Sequence, residues 1–455
     1  MTRTNALRIF RIHVFDNRKL FPIFVIMLIV QAIELTISVA PDIFKEFTIS
    51  LSGISLFVAI SAIYIFGQFF ILGMVKAKNE ESEIKRFSIN TIEKVVTAVQ
   101  YFLAAVVLTI IAQLIYSSQY STALLTVNAT ISYGLAGCLT GMLAYWLFSW
   151  FRISRGLVVL LYGLAATMIA INAFDSLILF DVVLINKPSI ITPESETVAV
   201  GNFPADNPMN IVATIQAISL NAYYLLAWGG TIILLYHNIR RIGKARFWIL
   251  VTTPMLFFMS FYVTFYQTLN PPSPTGTLGS AIIPLLIIIF SAIAALILFG
   301  LAFYSIARSI SEKIRVRDYM IITAYGIILF FIAAGATITG AGYPPFGIVN
   351  VSLVGPFSFL ILIGLYRSAM SIAEDAKLRQ SIKGSRLLES IGTAEMRREI
   401  EKKVMTAIRE SADDLTRKSG VEPSLTDEEI RSIAEHATRE IQERRKKSPA
   451  KDGNK

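Results

Sequence analysis

Three acidic residues lie within long apolar stretches of this chain: Glu34, Asp175 and Asp181. An ionisable group inside a bilayer is costly, and it is therefore typical of a binding site, an ion pathway or a proton relay. No lysine or arginine falls deep in the same stretches, so Glu34 and Asp175 must be protonated, hydrogen-bonded or in contact with water. Asp181 is predicted to lie near the membrane surface, where hydration explains it.

Uncharged polar side chains follow at helical spacing in two further apolar stretches. They are Gln216, Ser219, Tyr223, Ser260, Thr264 and Gln267. Hydrogen bonds between membrane helices are one explanation for them. The other is a water-filled cavity that opens to the outside and is lined by Glu34, Asp175, Gln216 and Thr264. Such a cavity would suit a ligand-sensing pocket or a transport vestibule.

Few residues in this chain are of the types that catalyse reactions. There are three histidines, widely separated in sequence, and one cysteine, and neither a GxxxxGK[ST] loop nor an HExxH motif occurs. His436 lacks the acidic residue and the proline that follow the phospho-acceptor of sensor histidine kinases, and we expect no ATP-binding domain after it. We therefore expect a protein that is not an enzyme and that has no cofactor and no metal.

The elements that must position these residues are membrane-spanning helices. Hydrophobic residues make up 54 % of the chain and charged residues 16 %, against about 25 % charged in soluble domains. A span needs about 20 mainly apolar residues, and it must be helical to satisfy its own backbone. Ten stretches qualify: 20–40, 50–75, 95–117, 122–150, 156–184, 211–236, 247–268, 279–306, 319–340 and 347–369.

Basic residues alternate along the predicted loops. Nearly all the lysines and arginines between the spans lie in every second loop. The remaining loops contain only Lys45 and Lys187. The positive-inside rule then predicts that both termini are cytoplasmic. The same rule accounts for the net charge of +10 without a nucleic-acid partner. The long outer loop 185–210 is either a solvated linker or a lid over a ligand.

Three regions follow from this pattern: a transmembrane domain over 1–369, a cytoplasmic helical tail over 370–445 and a disordered basic end over 446–455. The last span is expected to continue as a helix into the tail, and Gly384 and Gly392 are expected to interrupt that helix. Thr393 is then expected to cap a helix that has Glu395 in its first turn and ends at Ser419. A capping box over Thr426–Glu429 starts a second amphipathic helix, which predicts a helical hairpin. Its apolar stripes must pack on each other, on the membrane domain or on another chain.

A resemblance to known proteins rests on four short motifs: Tyr343–Gly347, Val354–Ser358, Gly364–Ala369 and Leu387–Thr393. Over roughly residues 211–405 the chain resembles uncharacterised polytopic membrane proteins of ammonia-oxidising archaea. Some of those resemble the membrane-embedded sensor regions of signalling proteins. The resemblance implies a sensor-like membrane region and transfers no functional residue.

Together these features predict an all-α, polytopic transmembrane helix bundle of about ten spans in the cell membrane, with a cytoplasmic helical hairpin as its tail. The expected function is that of a sensor or signalling scaffold that couples an outward polar cavity to the tail. A secondary transporter with a site near the membrane acids and a structural subunit of a membrane complex are the alternatives. The expected partners are the lipid bilayer and a cytoplasmic protein bound by the tail. A homo-oligomer is a further option.

Overall fold

A computed structural model describes most of the chain. The described residues are 17–39, 41–80, 87–185, 187–194, 209–237, 239, 243–253, 255, 299–310, 315–335, 342–374 and 386–419.

Twelve helices and two short strands occur in these ranges. In chain order they are α1 (Asn17–Val39), α2 (Pro41–Ile49), α3 (Leu51–Glu80), α4 (Phe87–Ser117), β1 (Tyr120–Ser121), α5 (Thr122–Ser154), α6 (Leu157–Ile185), β2 (Ile190–Ile191), α7 (Met209–His237), α8 (Lys244–Thr252), α9 (Leu301–Ser309), α10 (Arg315–Gly335), α11 (Ile348–Glu374) and α12 (Arg386–Ser419). The all-α class is confirmed.

Eight of the helices are long and apolar enough to cross a membrane: α1, α3, α4, α5, α6, α7, α10 and α11. They correspond to eight of the ten predicted spans. The other two, 247–268 and 279–306, lie mostly outside the described residues, which include only α8 and α9 at their edges. The predicted total of ten spans therefore stays a prediction.

Helix α11 is the centre of the bundle. It contacts α1, α3, α4, α5, α10 and α12. Almost every one of its residues is buried, including the polar Asn350, Ser352 and Arg367. A helix that is covered all round must be apolar on all sides or have its polar groups paired inside the protein. Most polar contacts described below therefore involve α11.

The two ends of the bundle differ. At one of them, here called the strand end, β1 pairs antiparallel with β2, and Tyr120 lies opposite Ile191. The Tyr120 hydroxyl also donates a hydrogen bond of 2.7 Å to the carbonyl oxygen of Gly342, just before α11. At the other, here called the tail end, α3 ends and α10 begins, and Lys78 forms an ion pair of 2.7 Å with Asp318.

Three of these elements, α2, β1 and β2, were not predicted from the sequence. The short helix α2 follows α1 directly, with Pro41 as its first residue, a position that suits proline because its missing N–H would be unpaired there in any case. Strand β2 lies in the loop that was predicted as a solvated linker or a lid. Two-residue strands carry no recognisable alternation, so the sequence offers no signal for them.

The predicted start of the tail helix is wrong. Helix α12 begins at Arg386 and runs through Gly392 and Thr393 without interruption, so Thr393 is not its N-cap. Leu387, Leu388 and Ile391 are buried at this start of the helix. A Cβ atom at Gly392 would overlap Ile372 of α11, so the glycine permits close contact and does not break the helix.

Candidate functional site

Glu34 is the N-terminal cap of a helix other than its own. Its Oε1 atom accepts hydrogen bonds from the backbone N–H groups of Gly347 (2.9 Å) and Val349 (3.0 Å), and its Oε2 atom accepts one from Asn350 (2.9 Å). The first N–H groups of a helix have no partner within it, and they form its positive pole. The carboxyl group of α1 therefore supplies the acceptors that the start of α11 needs.

The backbone before α11 is shaped for this contact. Gly347 has a φ of +101°, a conformation that a residue with a side chain rarely adopts. Its N–H group is one of the three that meet Glu34. Glu34 itself is fully buried, so water does not compete for these hydrogen bonds.

Further buried polar side chains continue from Glu34 towards the middle of the bundle. The Asn350 amide donates to the backbone oxygen of Gln31 (3.0 Å), and the side chains of Asn128 and Ser352 bond to each other (2.8 and 3.1 Å). Longer contacts of 3.5 Å join Tyr64 to Gln100 and Gln100 to the backbone oxygen of Ser352.

These residues, with their neighbours on the same helix faces, are here called the polar core. Its members are Gln31, Glu34, Ser61, Tyr64, Gln68, Gln100, Asn128, Ser132, Asn350 and Ser352, and none is more than 1 % exposed. They come from α1, α3, α4, α5 and α11. Five spans therefore direct polar groups towards one buried region that begins at the N-terminus of α11.

Some side-chain atoms of the polar core have no hydrogen-bond partner among the described residues. Within the described part of the chain, neither amide atom of Gln31 nor of Gln68 meets hydrogen-bond geometry with a partner, although Gln68 lies beside the Tyr64 hydroxyl. The hydroxyl oxygens of Ser61 and Ser132 also lack partners there. Buried polar atoms are normally satisfied by protein, by ordered water or by a ligand. The described residues alone therefore do not complete the hydrogen bonding of these side chains.

A second polar group lies between α6 and α7. Asn172 donates to the backbone oxygen of Gln216 (3.1 Å) and to the Ser219 hydroxyl (3.2 Å), and Gln216 donates to the Ser176 hydroxyl (2.8 Å). Asp175 is half-buried beside them, and its Oδ2 atom has no hydrogen-bond partner among the described residues. These contacts join the two helices through hydrogen bonds.

The predicted site residues thus fall into separate places. Glu34 bonds to α11, whereas Asp175, Gln216 and Ser219 lie at the α6–α7 interface. Tyr223, on α7, is buried, and its ring stacks on Phe331 of α10 with 5.8 Å between centroids. Ser260, Thr264 and Gln267 lie outside the described residues. A single cavity that unites these side chains stays a prediction.

A third cluster attaches the tail helix to the bundle at the tail end. The Trp150 indole N–H donates to Oε2 of Glu395 (2.9 Å), and Glu395 is fully buried. The guanidinium carbon of Arg398 lies 5.3 Å from the Trp146 ring centroid, and that ring meets Tyr366 of α11 edge to face at 3.8 Å. We call Trp146, Trp150, Tyr366, Glu395 and Arg398 the tail junction.

Most of the polar core was missed from the sequence. Gln31 and Asn350 stand out as amides within spans, but Tyr64, Gln68, Gln100 and Asn128 look like isolated polar residues in apolar runs. A usable signal exists in α3, where Ser61, Tyr64 and Gln68 share one helix face. Among the described residues, no cluster of three or more histidine, cysteine or acidic side chains is suited to hold a metal ion.

The fold and these polar groups define the class: an all-α protein that crosses the membrane several times. Eight apolar helices, a buried polar core and a tail helix attached at one end are its features. Comparison with protein-family models, with curated proteins and with solved structures found no match for this chain.

Proposed function

We propose that this protein is a non-enzymatic membrane sensor or signalling scaffold, in which α11 couples the polar core to the tail helix. The observation that carries the proposal is the position of α11. Its first residues bond to Glu34, and its far end contacts α12 through Ile372 and Gly392 and the tail junction through Tyr366. A helix of 27 residues spans about 40 Å, so α11 extends from one end of the bundle to the other.

The coupling would depend on a change in the hydrogen bonds between Glu34 and the first residues of α11. A ligand or a change of membrane state that alters the bonding of Glu34 would shift the balance between two positions of α11. Because α11 is covered on all sides, a displacement at its start must be taken up by its neighbours or passed to its end. The tail junction receives it there, and the exposed part of α12, residues 402–411, would present it to a cytoplasmic partner.

Hydrogen exchange at the tail tests this proposal. We expect Glu34→Gln, in the full chain reconstituted in nanodiscs, to increase amide exchange over residues 387–395. Asp175→Asn is the matched control, since it makes the same change of acid to amide at a residue for which the described structure shows no contact with α11. An unchanged exchange rate in Glu34→Gln, or an equal increase in Asp175→Asn, would contradict coupling through α11.

The cytoplasmic location of the tail belongs to the same proposal. It is supported by the basic residues that alternate along the loops, and a reporter fused after Lys187 should face the outside. A reporter fused after Arg246 should face the cytoplasm. The opposite result for either fusion would place α12 on the wrong side for a cytoplasmic partner.

A secondary transporter is the second candidate, and one observation favours it. The polar core lies within the spans and contains the N-terminus of a helix, as transporter binding sites do, and some of its polar atoms have no partner among the described residues. Such a transporter should move a polar solute into liposomes after deletion of residues 376–455. The sensor should lose its output in the same deletion, although its spans still insert.

A further inference from the structure

An apolar pocket with a cavity volume of about 50 Å³ lies between α1, α3, α10 and α11, away from the polar core. Sites that enclose a whole small molecule are larger, about 300–1,000 Å³, so this pocket can hold only a segment of a longer ligand. Tyr325 and Asp318 are the polar residues that line it. The other lining side chains are apolar: Ile23, Phe24, Ile71, Met74, Val75, Ile321, Ile322, Leu329 and Leu360. Its occupant must therefore be mainly hydrocarbon.

The pocket is long and has one polar end. Its lining on α10 extends from Asp318 to Leu329, which corresponds to about 16 Å along the helix axis. At the Asp318 end, the carboxylate forms the ion pair of 2.7 Å with Lys78 of α3. Side chains at the other end, Leu329 and Leu360, are apolar and buried. An extended chain with a polar group at one end fits this distribution.

The pocket is reached from the side of the bundle. Ile23, Met74 and Ile322 are partly exposed, whereas Ile321, Leu329 and Leu360 behind them are buried. These residues belong to three of the helices that are suited to span a membrane, so the exposed edge faces the bilayer. Hydrocarbon chains surround the opening at this depth, and a chain entering sideways leaves its head at the membrane surface.

We propose that this pocket binds a segment of one hydrocarbon chain of a membrane lipid, with the head group of that lipid against the Lys78–Asp318 ion pair. The pair offers an ammonium group and a carboxylate and has no net charge. A zwitterionic head can meet both groups, while an anionic head gains from Lys78 and is repelled by Asp318. The site stands whether or not the protein is a sensor, since it shares no residue with the polar core or the tail junction.

Photolabelling from the lipid chain tests the site. The full chain is reconstituted in phosphatidylcholine vesicles that contain a small fraction of phosphatidylcholine with a diazirine in its acyl chain. After illumination, mass spectrometry measures labelling of Met74 and Tyr325 relative to Leu108, which is 53 % exposed on α4. We expect the pocket residues to be labelled more strongly than Leu108, although they are less exposed.

Two matched variants identify the pocket as the cause. Ile322→Trp fills the pocket and should lower labelling of Met74 and Tyr325 roughly tenfold. This factor corresponds to a typical cost of overpacking, because the lipid chain can then enter only by displacing the larger side chain. Phe66→Trp, on the same helix as Met74 and 77 % exposed, should leave it unchanged. Met74→Phe narrows the opening and replaces Ile322→Trp if that variant does not elute as a folded protein.

Three outcomes would overturn the proposal. One is labelling of Met74 and Tyr325 no stronger than that of Leu108. Another is equal labelling in wild type and the filled variant. The third concerns the head group: phosphatidylglycerol with the same diazirine chain should label the pocket less than phosphatidylcholine, and equal or stronger labelling removes the assigned role of the ion pair.

Discussion

The carboxyl group of Glu34 in α1 accepts a hydrogen bond of 2.9 Å from the backbone N–H of Asn350 in α11. The helices that hold these two residues are separated by most of the chain. The bond therefore joins the first of the described spans to the last, and it does so at the place where α11 has no backbone partners of its own.

Removing this acceptor should destabilise the protein. Glu34→Ala leaves the N–H groups of Gly347, Val349 and Asn350 without their partner, and we expect a loss of roughly 3 kcal/mol in the free energy of unfolding. Glu34→Gln keeps one acceptor oxygen and should lose about half as much. Unfolding in detergent micelles measures both, with Asp175→Asn as the control. A wild-type stability for Glu34→Ala would contradict the capping role.

The bond between Trp150 and Glu395 should hold the tail helix to the bundle. Trp150→Phe and Glu395→Gln are each expected to increase proteolysis of the chain around residues 387–395. A double-mutant cycle on tail attachment should give a coupling of about 2 kcal/mol, the usual strength of a hydrogen bond to a charged group.

Trp228→Phe serves as the control for this cycle. It also removes an indole donor, which bonds to the backbone oxygen of Val251 in α8 (3.1 Å) and not to α12. If Trp228→Phe releases the tail as readily as Trp150→Phe, the effect on the tail is not due to the junction.

Close packing of α10 against α11 should depend on Gly364. A Cβ atom there would lie 2.7 Å from the backbone oxygen of Tyr319 and would overlap the Thr323 hydroxyl. Small residues of this kind let membrane helices approach each other, so Gly364→Ala should cost about 1–3 kcal/mol of stability. Gly73→Ala is a matched control in α3, because a Cβ atom there meets nothing within 4 Å. Equal stability of the two variants would contradict this account.

Lys187 should make stability depend on pH at the strand end. Burial lowers the pKa of this lysine to about 8, from an ordinary value of 10.5. Between these two values the unfolded chain binds more protons than the folded one, so stability should rise as the pH increases from about 8 to 10. Below that window both states are protonated and this contribution is constant.

Comparison of wild type with Lys187→Met isolates this effect. The variant has no ammonium group to desolvate, so it should be the more stable protein at pH 7, and the rise between pH 8 and 10 should disappear. An identical pH profile in both proteins would show that another group is responsible.

The predicted outward cavity has a direct chemical test. A cysteine at Thr264, placed in a Cys138→Ser background because Cys138 is exposed, should react with a membrane-impermeant thiol reagent added outside. Reaction there would place Thr264 in contact with outside water. No reaction would count against a cavity that includes Thr264.

The spans were predictable because each depends on a local property. A run of about 20 apolar residues such as Leu157–Ile185 has few alternatives to a membrane helix. The polar core was not predictable in the same way. Gln100 and Asn128 gain their significance from meeting Ser352, and which helices are neighbours is decided by packing between segments far apart in sequence.

The tail helix shows the same limit at single residues. Gly392 was interpreted as a helix breaker on its intrinsic propensity, but tertiary contact with Ile372 makes a small residue favourable there. Glu395 was interpreted as a first-turn acid that favours the helix dipole. In the fold it lies in the interior of α12 and pairs with Trp150. Helix propensity and position in a helix describe both residues from the local sequence alone. The role of each is determined by a contact with another helix, which these rules do not include.

The central position of α11 has a consequence for biosynthesis. The other spans that surround it are made first, and in the described part of the chain it is the last span to leave the ribosome. Until it arrives, Glu34 and the amides of the polar core have no α11 to meet, and the earlier helices can associate only around an incomplete interior. Maturation in the membrane should therefore be completed late, when the final span enters a place already surrounded by its neighbours.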